Sequence, residues 1–394
     1  MSEAASFSPP DASANAFGEP IRHVLDLSTW NEGHDLATLY DRLNQMVAES
    51  IAQENRTREP IRRLIFPRLR DGSDRFAPKN AGLYKVTPEQ IAEIHRGLLF
   101  NGATECCDGT IAAHDSLLLT VVQIGLSLVA YQGSQGSWVQ RLYRRDLQAH
   151  SPDPVEEALA LLERRSRPDD TEESAARGPL NRLLRRTLME YAERAALANL
   201  SSALWRMGHG NPVPLNLLVP STPELVQVGI EVMQSLLLDH RRFVFVASEP
   251  ADRLLLTIGS ALNVLEFAIV GTLASQINAE KLAASQSGHP KERDLIQAFV
   301  RAVGPEIVSG VYRAGLNAPA RVFYAHRDFA CQAAALAMAD SVLQPYRGFP
   351  MLIDLADIVC GNVFDQGSFN GTVQNAYARA GEPMRYLGER ETRA

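Results

Sequence analysis

The chain has 394 residues, 45% of them hydrophobic, with a formal net charge of −7 and a pI near 5.8. That is enough apolar material for a sizeable core in one large or two intimate domains. It excludes a global positive field as the basis of nucleic-acid binding, so any such binding rests on local basic patches.

Residues 1–20 are polar, rich in Ser, Ala and Pro, and lack the basic start and apolar run of a secretory signal, so a disordered lead-in is expected. Residues 21–99 read as an N-terminal helical region. Within it, Leu36, Leu39, Leu43, Met46 and Val47 recur at helical spacing over 36–54. Thr87-Pro88-Glu89-Gln90 then opens a second helix, with Thr as N-cap and Pro at the first helical position.

The main domain is placed at 100–394. Ala103–Cys107 is a candidate first strand that breaks at Asp108-Gly109-Thr110. That triplet reads either as a tight corner, with Asp108 bonding its own backbone, or as the first carboxylate of a metal-dependent nuclease. Leu117–Tyr131 is rich enough in β-branched residues for a second strand, and "SWVQRLYRRDL" (137–147) alternates like a third across a "QGSQGS" hairpin. Residues 166–179 are charged and loop-like, and a long helix is expected from Leu180 to Met207. A short strand within 211–220, a helix over 223–240 and a buried strand in "RRFVFVASEP" (241–250) follow. Helices are expected near 262–281 and 292–303, strands at 307–313 and 321–324, helices near 327–344 and 350–360, then an irregular tail. This order gives an α/β fold: a ribonuclease-H-like mixed sheet flanked by helices, with helical insertions.

No apolar window reaches the roughly 18–20 residues of a membrane span. Of the four cysteines, Cys106 and Cys107 are adjacent while Cys331 and Cys360 stand alone, without metal spacing or a disulfide framework. A reduced, cytoplasmic protein is expected. The sequence has no GxSxG, Walker, GxGxxG or HExxH motif, and its nine histidines are dispersed.

What remains is carboxylate chemistry. Hard divalent cations want oxygen ligands converging from separate elements. Asp108 is the candidate on the first strand, ahead of Glu105 and Asp115. On the long helix, Glu190 shares a stripe with Leu183 and Leu197 and is preferred to Glu193, although an i,i+4 pair with Arg186 is the ordinary use of that spacing. Glu249 and Asp252 follow the buried strand, where acids also suit a helix start. Asp354 and Asp357 lie one turn apart on an apolar helix, with Asp357 preferred. Arg182, Arg185 and Arg186 form a basic row within a turn of Glu190. It suits a phosphate backbone, and equally a solvated salt-bridged face.

Together "CDGT" with "LLLTVVQIGLSLVAYQG", "LMEYAERAAL" and "RGFPMLIDLAD" resemble the NurA family of DNA-end-processing nucleases over about residues 100–360. The resemblance implies a ribonuclease-H-like fold and a homodimer. It also implies Mn²⁺- or Mg²⁺-dependent cleavage of DNA ends beside a HerA-type hexameric ATPase, in DNA repair or defence. By it, Asp108, Glu190 and Asp357 would hold metal, with Glu249 substituting for a second acidic motif that the sequence otherwise lacks. The alternative is a catalytically inactive relative serving as scaffold or regulatory partner of a DNA translocase.

Overall fold

The computed structural model describes residues 19–30, 36–70, 77–116, 119–132, 136–144, 153–165, 171–218, 223–248, 252–277 and 290–386. The chain divides into two compact units, Met1–Glu59 and Pro60–Ala394. In the first, Asp26 caps a short turn by accepting the Ser28 N–H at 3.0 Å, and the Trp30 indole donates to the Val24 carbonyl. The first unit also holds most of helix α1 (Leu36–Leu64).

Nine strands make up one sheet in the second unit: β1 (Gly82–Lys85), β2 (Thr104–Asp115), β3 (Thr120–Val129), β4 (Gly136–Arg144), β5 (Trp205–His209), β6 (Phe243–Ala247), β7 (Glu266–Thr272), β8 (Ile307–Arg313) and β9 (Arg321–His326). Their spatial order is β1-β7-β8-β9-β6-β5-β2-β3-β4. The β2-β3-β4 meander is antiparallel, while β2, β5 and β6 are parallel neighbours. This is the ribonuclease-H-like arrangement expected from the sequence, extended by the antiparallel strands β9, β8, β7 and β1.

Helices α2 (Pro88–Ile94), α3 (Pro154–Arg165), α4 (Thr171–Asn199), α5 (Pro223–Gln234), α6 (Arg253–Ser260), α7 (Pro290–Val303), α8 (Ala330–Val342), α9 (Met351–Val363) and α10 (Gln366–Arg379) follow α1 along the chain, with shorter helical turns between them. Thr87 caps α2 with the reciprocal bonds of a capping box, as its spacing predicts. Strand alternation sorts the core into two layers. Cys107, Leu126 and Leu128 pack with Ala196 and Leu197 of α4, whereas Cys106 and Val129 pack with Leu352, Ile353 and Ala356 of α9.

Several expected elements differ. The Asp108-Gly109-Thr110 triplet is no corner; it lies inside β2, whose pairing with β3 runs unbroken from Cys106 to Asp115. Helix α4 starts at Thr171 and ends at Asn199, and Met207 belongs to strand β5. Residues 266–272 form β7 where a helix was expected, because a segment buried on both faces shows no strand periodicity. The short strand expected within 211–220 is a 3₁₀ turn at Leu215–Leu217, and the expected irregular tail holds α10.

Candidate functional site

The centre of the sheet is where β2 and β5 part. Their parallel pairing ends at Cys107–Gly208, while β2 continues beside β3. Asp108 is the next residue. Alternation puts it on the same side as Cys106, toward α9, and puts Gly109 toward α4. A Cβ at Gly109 would lie 2.8 Å from Met189 Cγ and 2.9 Å from Glu193 Oε1, so glycine is what lets α4 press Glu193 against the strand.

Four acids gather around this point. Asp108, Glu190 and Glu193 are buried, and the exposed Asp357 of α9 is near enough for its charge to act on Asp108. Burial pushes Asp108 up to about 8, and the charges of Glu193 and Asp357 add to the push. Burial also raises Glu193, against the pull of Arg194 and with the charge of Glu190 adding to it.

Arg194 is the internal counter-charge. It is 3% exposed, donates to Glu193 Oε2 at 2.8 Å and to the Glu190 and Asn211 carbonyls, and its guanidinium lies over the Phe245 ring. Glu190 accepts from Arg186 Nε at 2.9 Å and from Asn216 Nδ2 at 3.1 and 3.3 Å. It thus sits at the rim in a fixed pose, while Glu193, ranked below it on sequence, presses on the strand.

Asp354, the sequence rival of Asp357, is tied to Arg347 and Gln344. Arg185 makes a bidentate pair with Asp115 at 2.7 and 2.9 Å, and Arg186 keeps an exposed guanidinium on Glu190. Glu249 and the Arg182 side chain lie outside the described residues. Asp252 caps α6, accepting from the Leu254 and Leu255 N–H groups. Glu105 accepts from the Ser201 hydroxyl at 2.6 Å.

Helix α9 is held from beneath. Asp340 of α8 accepts the Leu352 N–H at 2.8 Å and the Tyr131 hydroxyl at 2.5 Å, fully buried. Cys360 Sγ donates to the Gly125 carbonyl at 3.4 Å. These bonds set where Asp357 meets Asp108. Sequence reasoning missed Arg194 and His209; for His209 the signal was a strand, Trp205–His209, hidden behind the end of a long helix.

The acids present suit a hard divalent cation by donor type, since all offer carboxylate oxygens. Among the described residues, no three His, Cys, Asp or Glu side chains converge closely enough to enclose an ion as they stand.

The fold and site together define a ribonuclease-H-like α/β sheet with a buried acidic cluster at the parting of its central parallel strands. No family model matches the chain, and no curated protein matches it. Among solved structures, it is similar to the NurA nuclease from Sulfolobus solfataricus, at 10% identity over 87% of this chain and 98% of that one, with a TM-score of 0.42. It is also similar to NurA with manganese, at 9% identity over 73% and 95%, with a TM-score of 0.38. A third is NurA bound to dAMP and manganese, at 8% identity over 83% and 94%, with a TM-score of 0.37. Such scores leave the functional reading to the chain's own residues.

Proposed function

We propose that this protein is a metal-dependent DNase whose active site is built on Asp108 and Asp357. What supports the reading is that Asp108, buried where β2 and β5 part, has Glu193 and Asp357 near enough for their charges to push its carboxyl up. Acids gathered around a buried carboxyl cost stability, and such groups cluster at functional sites.

Asp108, Asp357 and Glu193 would hold the ion, with Glu190 one turn before Glu193 as the fourth acid. A bound Mn²⁺ or Mg²⁺ supplies Lewis acidity toward a phosphodiester and neutralises charge on its oxygens. Arg194 holds Glu193 in place and offsets part of the repulsion among the acids. Exposed Arg186, on the rim beside Glu190, is positioned to meet a DNA phosphate, with Arg182 and Arg185 on the same helix.

With a net charge of −7, the chain alone binds DNA weakly, so the reading includes a homodimer working beside a HerA-type hexameric ATPase in the cytoplasm. None of the described helices is long and apolar enough to cross a membrane. The test is cleavage of linear and circular DNA with Mn²⁺, Mg²⁺ or EDTA. Degradation of linear DNA with either ion and none in EDTA supports the reading; inert protein with every divalent ion contradicts it. Light scattering and co-purification with the ATPase test the assembly, which a lone monomer would contradict.

A further inference from the structure

Helix α9 carries Asp357 but starts without a cap of its own. Pro350 stands at its N-cap and offers no side-chain acceptor, so the first N–H groups of the helix need one from elsewhere. It comes from another helix. Asp340 Oδ2 accepts the N–H of Leu352 at 2.8 Å, the second helical residue and one that a local cap would have reached. Its Oδ1 accepts the hydroxyl of Tyr131, just beyond the end of β3, at 2.5 Å. One carboxyl thus ties α8, α9 and β3 together.

Stability alone is a poor reason for an acid at this place. Asp340 is fully buried and, among the described residues, both its oxygens are spent on neutral donors. It lies in the last turn of α8, the end of its own helix dipole that disfavours a negative charge. Burial pushes its carboxyl up to about 6, so at neutral pH it is ionised at a cost. An apolar residue would avoid that cost, whereas a buried, fully bonded polar group fixes the register of the elements around it. Tyr131 is steadied from its other side as well. Its ring meets Phe100 edge-on at 5.4 Å, and Phe100 stacks on His95 at 5.1 Å. His95 Nε2 in turn donates to the Ala339 carbonyl at 2.8 Å, next to Asp340 in the chain.

The consequence for the acidic site is one of leverage. Asp357 follows Leu352 by about 7.5 Å of helix, so a displacement of the first turn passes directly to it. We infer that Asp340 is the positioning residue of the acidic site, acting through α9 to hold Asp357 at Asp108. This rests on the metal-dependent reading above.

The test uses the full chain, with Mn²⁺ as the probe. Asp340→Ala removes both bonds, and calorimetry should show a loss of Mn²⁺ affinity of about tenfold or more. Asp340→Asn offers its carbonyl oxygen to Leu352 and its amide to the tyrosine oxygen, so it should keep most of the affinity. Adding Pro350→Ser to Asp340→Ala gives α9 a local cap. The melting temperature should then recover while Mn²⁺ affinity stays low, because a cap restores the helix without its tie to β3. Recovery of both would make Asp340 a cap only and overturn the inference, as would wild-type affinity in a folded Asp340→Ala protein. Should the alanine variant fail to fold, Tyr131→Phe decides: it keeps the cap, loses the tie, and should lose affinity about threefold or more. Unchanged affinity there overturns the inference. If the wild type itself binds no Mn²⁺, the metal-dependent reading falls, and crystal structures of the wild type and Tyr131→Phe settle the positioning role. A shift of Asp357 against Asp108 by about 1 Å supports it, and an unmoved Asp357 overturns it.

Discussion

Asp108 sits in a continuous strand with two acids aimed at it, and its proton is the consequence. A carboxyl whose folded pKa of about 8 exceeds its ordinary 3.8 holds its proton more tightly in the fold than in the unfolded chain. The metal-free protein is therefore most stable, in this respect, below pH 4, loses stability as pH rises from there toward 8, and stays at the lower level above. Asp108→Asn mimics the protonated state. Its melting temperature in EDTA should exceed that of the wild type at pH 9 and match it near pH 4; equal melting at both values would remove the account of a raised Asp108 carboxyl. Metal must displace that proton, so Mn²⁺ affinity should climb with pH and level off near 8, which titration in a pH series would record. Glu193→Gln relieves one of the charges raising Asp108 but leaves Arg194 with a neutral partner deep in the core. Because that buried charge loses its counter-ion, chemical denaturation should show a loss of stability of about 3 kcal/mol or more.

The position of Asp357 is set by the seating of α9 on β3. At Gly125 an added Cβ would meet Phe364 Cδ2 at 2.2 Å and its Cβ at 2.7 Å, so the ring cannot simply swing away. Gly125→Ala should cost about 1–3 kcal/mol in urea unfolding and reduce metal affinity, because α9 must lift from the sheet. An alanine variant with unchanged metal binding would show that α9 does not set the site. The outer elements that frame this candidate site were legible in the sequence: the strands within residues 103–131 and the helices that carry Glu190, Glu193 and Asp357. Its middle was not. Trp205–His209 is only five residues long and follows a helix whose pattern runs on to meet it, so neither β5 nor the histidine at its end stood out. Asp108-Gly109-Thr110 has the composition of a turn, and only pairing with β3 makes it a strand. Glu193 ranked below Glu190 because helical spacing says which acids share a face, and a neighbouring glycine decides which one reaches the strand.

For the chain as a whole, the β2-β3-β4 meander and β6 follow the order that the sequence pattern implied, while β7 and β1, like β5, did not stand out. Strand β7 is buried throughout and reads like a helix, and β1 has only four residues. The outer part of the sheet is braced by Arg62, which donates to both Glu266 oxygens at 2.8 and 3.2 Å and to the Ala261 carbonyl. Arg62→Ala leaves the buried Glu266 carboxylate short of its cation. Thermal melts should show a clear loss of stability, since removing one partner of a buried pair costs about 3–5 kcal/mol, less here for partial exposure. The acidic cluster lies far along the sheet order from this brace, so metal affinity in Arg62→Ala should be unchanged where the protein is folded.

The central claim is that Asp108 and Asp357 are the metal-holding pair of a nuclease, and the most direct test compares cleavage of end-labelled linear DNA by wild-type and Asp108→Asn protein in Mn²⁺. The account predicts cleavage by the wild type that EDTA abolishes. It further predicts a loss of about a hundredfold or more in Asp108→Asn, with the fold intact, since the charge that holds the ion is gone while the shape is kept. Full activity in Asp108→Asn would contradict it.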